Sequence, residues 1–259
     1  SYSGADVSNY SITNHADVTA NITARSLSVS GVTASDKTYD GSVTATMNSS
    51  SAVYSGFVNG DDFAASYSGV FANANVGSGK TVTITSSYAG ADVSNYNITD
   101  QTSTTANISA KALTATASAS NKVYDGSSAA TSTLTLSGFV GSETVTSTNS
   151  STFNNKNAGT GKTVTVNSIT LADGSNGGLA ANYSISTGQT TTANVTAKAL
   201  TVSGITASNK VYDSTTNATT VLSFSGLIGS ETINNTNSST FDNKNIGTGK
   251  TVTVNSLTL

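Results

Sequence analysis

The sequence predicts an all-β protein: tandem β-sandwich modules of about 86 residues, roughly immunoglobulin size, joined in an elongated rod. Three observations carry this. The stretch SNKVYDG at residues 120–126 returns as SDKTYDG at 35–41 and as SNKVYDS at 208–214, which puts Tyr39, Tyr124 and Tyr212 85 and 88 residues apart. That period is too long for a solenoid coil and right for a small domain. Apolar residues alternate at two-residue spacing in short runs between Gly- and Asn-rich turns, and no window keeps a helical period for three turns. Finally, Thr, Val, Ile and Tyr recur at fixed places in a chain with no Pro, which suits strands and argues against disorder.

The chain has 259 residues, of which 10% are charged, against about 25% in an ordinary soluble domain. Net charge is −3, with 11 Lys plus Arg spread evenly, so no basic stripe exists to neutralise phosphates and nucleic acid is not an expected partner. No apolar run approaches the ~20 residues of a membrane helix, and no secretory leader opens the chain. Membrane insertion is therefore not expected, and the chain reads as an internal piece of something larger. With no cysteine there is no disulfide framework, although this does not fix the compartment.

Residues 1–24 (SYSGADVSNYSITNHADVTANITA) parallel residues 87–110 (SYAGADVSNYNITDQTSTTANISA), so the chain opens on the C-terminal part of a repeat. Complete modules follow at 25–110 and 111–197, and 198–259 is the N-terminal part of another. The junctions read ITARSL, ISAKAL and VTAKAL, with no Pro and no Gly-Ser linker. They look like nearly continuous strand, so stiff, collinear joints are expected. Within a module, Leu200, Val202 and Ile205 alternate with one slip, the mark of a strand with a bulge, and Leu27, Val29 and Val32 repeat it. Residues 133–137, 143–148 and 162–171 are further strands, the last with a bulge near Asn167. Residues 182–185 and 191–197 complete the set. Strand count alone leaves a partly open barrel or a β-grasp-like arrangement open. The Cys and Trp hallmarks of true immunoglobulin domains are absent.

No stretch reads as an active site. GSGKT at 77–81 has Ala74 where a phosphate loop needs its first Gly, and a β-branched run follows it instead of a helix. A Gly-rich hairpin turn feeding a strand is expected there. In the tyrosine motif, Asp40, Asp125 and Asp213 could be read as calcium ligands, but one Asp per copy is too few for an ion that wants six or more oxygens. The structural reading is a turn in which Asp bonds its own backbone and Gly takes positive φ, with Tyr39, Tyr124 and Tyr212 packed inward and their hydroxyls satisfied locally. Ser214 in place of Gly suggests that positive φ is not strictly required. Tyr10, Tyr96 and Tyr183, in NYSI or NYNI, read as core anchors akin to a tyrosine corner. Lys37, Lys122 and Lys210 are candidates for isopeptide bonds to Asn, with Glu143, Glu231 or Asp61 and Asp62 as acids, but ordinary solvated lysine is preferred. His15 is the sole histidine, aligned with Gln101, and reads as a loop residue without a role. No catalytic, metal or cofactor site is expected.

The succession KVYDG, NNKNAGTGKTVTV, NYSI and TANVTAKALTV resembles the YDG-motif and related mostly-β glycine-rich (MBG-like) tandem repeats of large bacterial secreted or surface adhesins. The likeness runs the length of the chain and departs where that family commonly carries proline at the junctions. It implies an extracellular location, secreted or attached to the cell surface, and a stalk or matrix-adhesin role in biofilm or host-surface contact, with no catalytic residue.

The expected function is a structural stalk or fibre-forming repeat region, not an enzyme. Its expected partners are neighbouring repeats or copies of itself, joined by strand addition. The rival reading is a multivalent module that holds extracellular polysaccharide or a host surface on Ser/Thr/Asn/Tyr-rich sheet faces, with weak sites gaining by avidity. The ragged ends add one expectation. Either residues 1–24 of one chain complete the body at 198–259 of the next, or the same contacts occur within one longer fibre.

Overall fold

The computed structural model describes residues 1–13 and 16–259; His15, read above as a loop residue, lies outside the described residues. Among the described residues the chain is all-β apart from three one-turn 3-10 segments, Val7–Asn9, Val93–Asn95 and Ala180–Asn182. It divides into two compact units, Ser1–Lys111 and Ala112–Leu259.

In the first unit, strand Arg25–Ser30 pairs antiparallel with Val53–Ser55 and parallel with Tyr96–Thr99. A five-stranded sheet faces it, in the order Lys37–Thr38, Ser103–Ser109, Gly77–Ala89, Ala64–Phe71, Thr44–Ala45. Leu27 and Val29 alternate inward with exposed serines along the first strand, as a half-buried strand requires. Val29 on the first strand and Val32 just beyond it pack with Ile84 of the five-stranded sheet, ringed by Tyr54, Tyr67, Tyr88 and Ile98. Each such aliphatic side chain contributes about 1.5–3 kcal/mol by leaving water, and a small sandwich with few of them depends on every one. The expected bulge between Val29 and Val32 is instead a break. Gly31 takes φ +78 and passes so close to the carbonyl of Ser51 that a Cβ would lie 2.3 Å from it, and a separate short strand, Thr33–Ala34, follows.

The two larger sheets of this unit are mixed, beside a short antiparallel ladder of Thr33–Ala34 with Met47–Asn48. The last strand, Ser103–Ser109, runs antiparallel to Gly77–Ala89 and parallel to Lys37–Thr38 in the tyrosine motif. An immunoglobulin sandwich is antiparallel throughout; here the final strand is wedged between two earlier ones and closes the module. We call it the closing strand.

The second unit repeats the plan. Its five-stranded sheet runs Lys122–Val123, Thr190–Thr196 (the second closing strand), Gly159–Asp173, Val145–Phe153, Ala129–Ala130. Phe153, Val164, Ala193 and Val195 form its core. Thr114–Ala119 pairs with Ser132–Ser137 in a separate ladder. The bulge expected near Asn167 is present, since Ser150 and Ser151 face Ser168 and Val166, and the same slip recurs where Ser238 and Ser239 face Ser256 and Val254. The bulge expected at Ser203 lies between Val202 and Gly204.

The third repeat, in the same unit, has Thr201–Ala207 paired with Thr220–Ser225, and a sheet ordered Asn217–Ala218, Thr236–Phe241, Val252–Thr258. Among the described residues no closing strand stands beside Val252–Thr258. Without it Lys210 and Val211, unlike Lys122–Val123, form no strand.

Two expectations are corrected. The junction between the second and third repeats is not continuous strand, because residues 197–200 carry none. Ala197 lies beyond the last rung of the closing ladder, Thr196 opposite Val123. Residues 16–24 likewise carry no strand.

Candidate functional site

The chemistry-bearing residues of each repeat gather at the tyrosine motif. In the first copy Lys37 Nζ donates to Asp40 Oδ1 at 2.7 Å and to the carbonyls of Ser42 and Thr44 at 2.7 and 3.1 Å. The Ser42 amide donates to the same Asp40 oxygen at 2.8 Å. In the second copy Lys122 Nζ reaches Asp125 Oδ1 and the Ser127 carbonyl, both at 2.8 Å, and the Ala129 carbonyl at 2.9 Å. In the third, Lys210 Nζ bonds Asp213 Oδ1 at 2.8 Å and the Thr215 carbonyl at 2.9 Å. The three ammonium groups lie 5.6, 5.6 and 5.7 Å from the ring centroids of Phe71, Phe153 and Phe241, within cation–π range.

These lysines are therefore clasps, not the freely solvated side chains expected. The acceptors converge on Nζ because the Asx turn and the strand after it present their carbonyls on one side. No asparagine is among the hydrogen-bond partners of the three, so the isopeptide arrangement is not formed. The lysine hydrogen bond holds Asp40 and Asp125 below the ordinary carboxylate range and brings Asp213 to about 2. Among the described residues no group of three His, Cys, Asp or Glu could hold a metal ion.

The turn itself is as read, except at Ser214. Gly41 and Gly126 take φ +76 and +80, and Ser214 takes +66. Positive φ is thus required at this position whatever residue stands there. The Asp and Lys bonds fix the turn firmly enough to hold serine in the left-handed region, at a steric cost of about 1–2 kcal/mol.

The three motif tyrosines differ. Tyr39 is buried at 4% exposure and Tyr212 is 55% exposed, so the inward packing expected of Tyr212 is not found. The reason is the closing strand: the amides of Tyr39 and Tyr124 donate to the carbonyls of Ser109 and Thr196 at 2.8 Å, and no such strand covers Tyr212. Nor is the Tyr124 hydroxyl satisfied locally. It donates to Glu231 in the next repeat, 107 positions on. Lys156 Nζ sits 3.2 Å from the same Glu231 oxygen and 5.9 Å from the Tyr124 ring centroid. The Tyr124 hydroxyl first, then Lys156, hold the Glu231 carboxyl below its usual range.

The second tyrosine set works within the repeat. Tyr183 is 5% exposed. Its hydroxyl donates to Glu143 at 2.6 Å and accepts from the Val140 amide at 3.0 Å, with the ring edge-on to Phe139. Burial raises its pKa, and the Glu143 bond adds to that. Tyr96 repeats this with Asp61 and the Val58 amide. These hydroxyls reach back 35 to 43 positions, where a tyrosine corner reaches only a few. Tyr10, expected to be a core anchor like them, is 72% exposed, since no body of a repeat precedes it among these residues to bury it.

GSGKT does feed a strand, Gly77–Ala89, but it lies within the start of that strand and the turn comes before it. Within it the Gly79 N–H donates to Asn107 Oδ1 at 2.8 Å, and in GTGKT of the second repeat the Gly161 N–H donates to Asn194 Oδ1 at 2.7 Å. Lys80 Nζ donates to Asn73 Oδ1 at 2.6 Å. The closing-strand asparagines were missed by the sequence reading. The backbone amides of Asn107 and Asn194 also donate to Asp36 and Asn121 at 2.7 Å, tying the closing strand to both neighbours. Their signal was the invariant TAN in each copy. Glu231 as a partner for the preceding repeat had no local signal.

Among the described residues no helix is long and apolar enough to cross a membrane. Residues 23–105, 109–193 and 196–259 each match the YDG domain family. The chain has no match among curated proteins or among solved structures.

Proposed function

The chain belongs to the YDG domain family, with three matches in tandem, and from that premise we propose that it is a structural stalk segment of a large extracellular bacterial adhesin, contributing length and stiffness and no catalysis. One observation carries the reading most directly: the polar side chains that could do chemistry are engaged with one another. Lysine clasps aspartate in each turn, and Tyr124 is spent on Glu231 of the next repeat. An enzyme needs one free site, while a spacer needs equal units joined to their neighbours. The bacterial surface location rests on the resemblance of the motif succession.

The test is mechanical. Stretching a single 259-residue chain between two handles should give repeated unfolding steps of nearly equal contour length, one per complete repeat. Fractionating producing cells should put the antigen outside them. A rival, glycan binding by exposed tyrosines, predicts retention on a glycan array that is lost when those tyrosines become alanine. Such retention, with no regular unfolding steps, would displace the stalk reading.

A further inference from the structure

The first repeat carries a row of tyrosines that its fold does not call for. Tyr54 on Val53–Ser55, Tyr67 on Ala64–Phe71 and Tyr88 on Gly77–Ala89 turn inward and pack, half-buried, around Val29, Val32 and Ile84. The second repeat builds the same ladders with Leu136, Asn149 and Leu171 in these places, and the third has Phe224 and Asn237 in the first two. Leucine fills such a position with no polar atom to satisfy, whereas each phenol brings a hydroxyl that must find a partner. The three phenols are therefore an addition to the packing, not a requirement of it.

Two of the hydroxyls meet head to head. The Tyr67 hydroxyl donates to the Tyr54 hydroxyl at 3.1 Å, from one sheet to the other and 13 positions apart in the chain. Tyr67 stands opposite Ser86 and Tyr88 opposite Ala65 in one ladder, so Tyr67 and Tyr88 are diagonal neighbours on one sheet face, a spacing that aromatic side chains span. Phe63 lies between the ends of the row, its ring centroid 5.8 Å from that of Tyr54 and 5.4 Å from that of Tyr88. The Tyr88 hydroxyl donates to the carboxylate of Asp100, an exposed residue. Thr187 takes the place of Asp100 in the second repeat, so the acid and the tyrosines change together.

Contact between two tyrosine hydroxyls favours one particular bond. Phenoxyl radicals couple through the ring carbon beside each oxygen, and in the product the two hydroxyls flank the new bond. Burial, then the bond to Tyr54, raises the pKa of Tyr67; burial, then the bond to Asp100, raises that of Tyr88. Neither is a phenolate at neutral pH, so an electron leaves either ring only together with its proton, and Asp100 is placed to take that proton from Tyr88.

We propose that Tyr54 and Tyr67 are a site of oxidative cross-linking, which a small one-electron oxidant converts to dityrosine, with Tyr88 and Asp100 as the point of entry. Tyr88 loses an electron as its proton passes to Asp100, then regains both as Tyr67 gives up an electron and a proton. A second equivalent of oxidant acts on Tyr54 by the same route. The two radicals form one carbon–carbon bond, and the hydrogens on the coupled carbons move through water to the oxygens, which restores both phenols. The product is the parent chain less two hydrogens, and the oxidant has taken up two electrons. The bond staples the two sheets of the first repeat and constrains the unfolded chain as a disulfide does, in a chain that has no cysteine. This goes beyond the stalk reading and does not depend on it.

The test is oxidation of the 259-residue chain at high dilution, under light, with ruthenium(II) tris-bipyridyl and persulfate. A monomer lighter by two hydrogens should appear, with dityrosine fluorescence, and peptide mapping should place the bond between Tyr54 and Tyr67. Its first repeat should melt at a higher temperature than before illumination. Tyr54→Phe and Tyr67→Phe, which keep the rings and the packing, should each abolish this product, and Asp100→Asn should slow its formation several-fold. No linked monomer under light that couples free tyrosine in a parallel sample would overturn the proposal. So would a bond that forms through other tyrosines, one that survives Tyr67→Phe, or a rate unmoved by Asp100→Asn. A chain that never forms the bond yet unfolds in regular steps would leave the stalk reading standing while this one fails.

Discussion

The hydroxyl of Tyr124 donates to the carboxylate of Glu231, which joins the tyrosine motif of the second repeat to a loop of the third. Lys156 completes the contact from the second repeat's side, and Ile228 packs so near Gly126 that a Cβ there would lie 2.8 Å from Ile228 Cγ2. The joint is therefore made by side chains on both sides of a strand-free stretch at residues 197–200.

Removing the hydroxyl should be visible at the acid. Its hydrogen bond is the largest cause of the lowered Glu231 pKa, so Tyr124→Phe should move the Glu231 carboxyl back up toward the ordinary range. Carbon-detected NMR titration measures this, and an unmoved midpoint would mean the joint is open in solution.

The motif turn should respond oppositely to two substitutions. Ser214 pays the steric cost of φ +66, so Ser214→Gly should stabilise the third repeat by up to about 1 kcal/mol, net of glycine's greater freedom in the unfolded chain. Gly126→Ala meets both the φ of +80 and the Ile228 methyl, and should destabilise by at least about 1–2 kcal/mol. Urea unfolding of the two variants beside the parent chain decides it.

Acid should release the clasps late. Asp213 has a folded pKa of about 2 against an ordinary 3.8. A depressed folded value means the unfolded chain binds the proton more readily, so the clasp's contribution is full above the ordinary value and fades as pH falls toward 2. The Asp213 carboxyl shift should have its midpoint near pH 2, with the Lys210 contact intact at pH 4. A midpoint at the ordinary value would show that Lys210 is not bound there.

Equivalent tyrosines should differ in cost. Tyr183→Ala removes a ring that is 5% exposed and should cost about 3 kcal/mol in the second repeat. Tyr212→Ala, at 55% exposure, should change stability by no more than about 0.5 kcal/mol. Thermal melts of the two variants are the comparison.

By itself the sequence determined the all-β class, the repeat, the bulges opposite Ser150 and Ser238, and the Asx turns at Asp40, Asp125 and Asp213. All of these follow from local rules: side-chain alternation fixes which face is buried, and an Asp two residues before an amide makes its own turn. Only the tertiary structure decided the parallel closing strand, the lysine clasps, the left-handed Ser214 and the Tyr124–Glu231 joint. Each depends on which distant segment lies alongside. Tyr39 and Tyr212 sit in nearly the same local sequence, yet one is buried and the other exposed, because burial there is supplied by a strand some 70 residues further on and local pattern carries no record of whether that strand is in place.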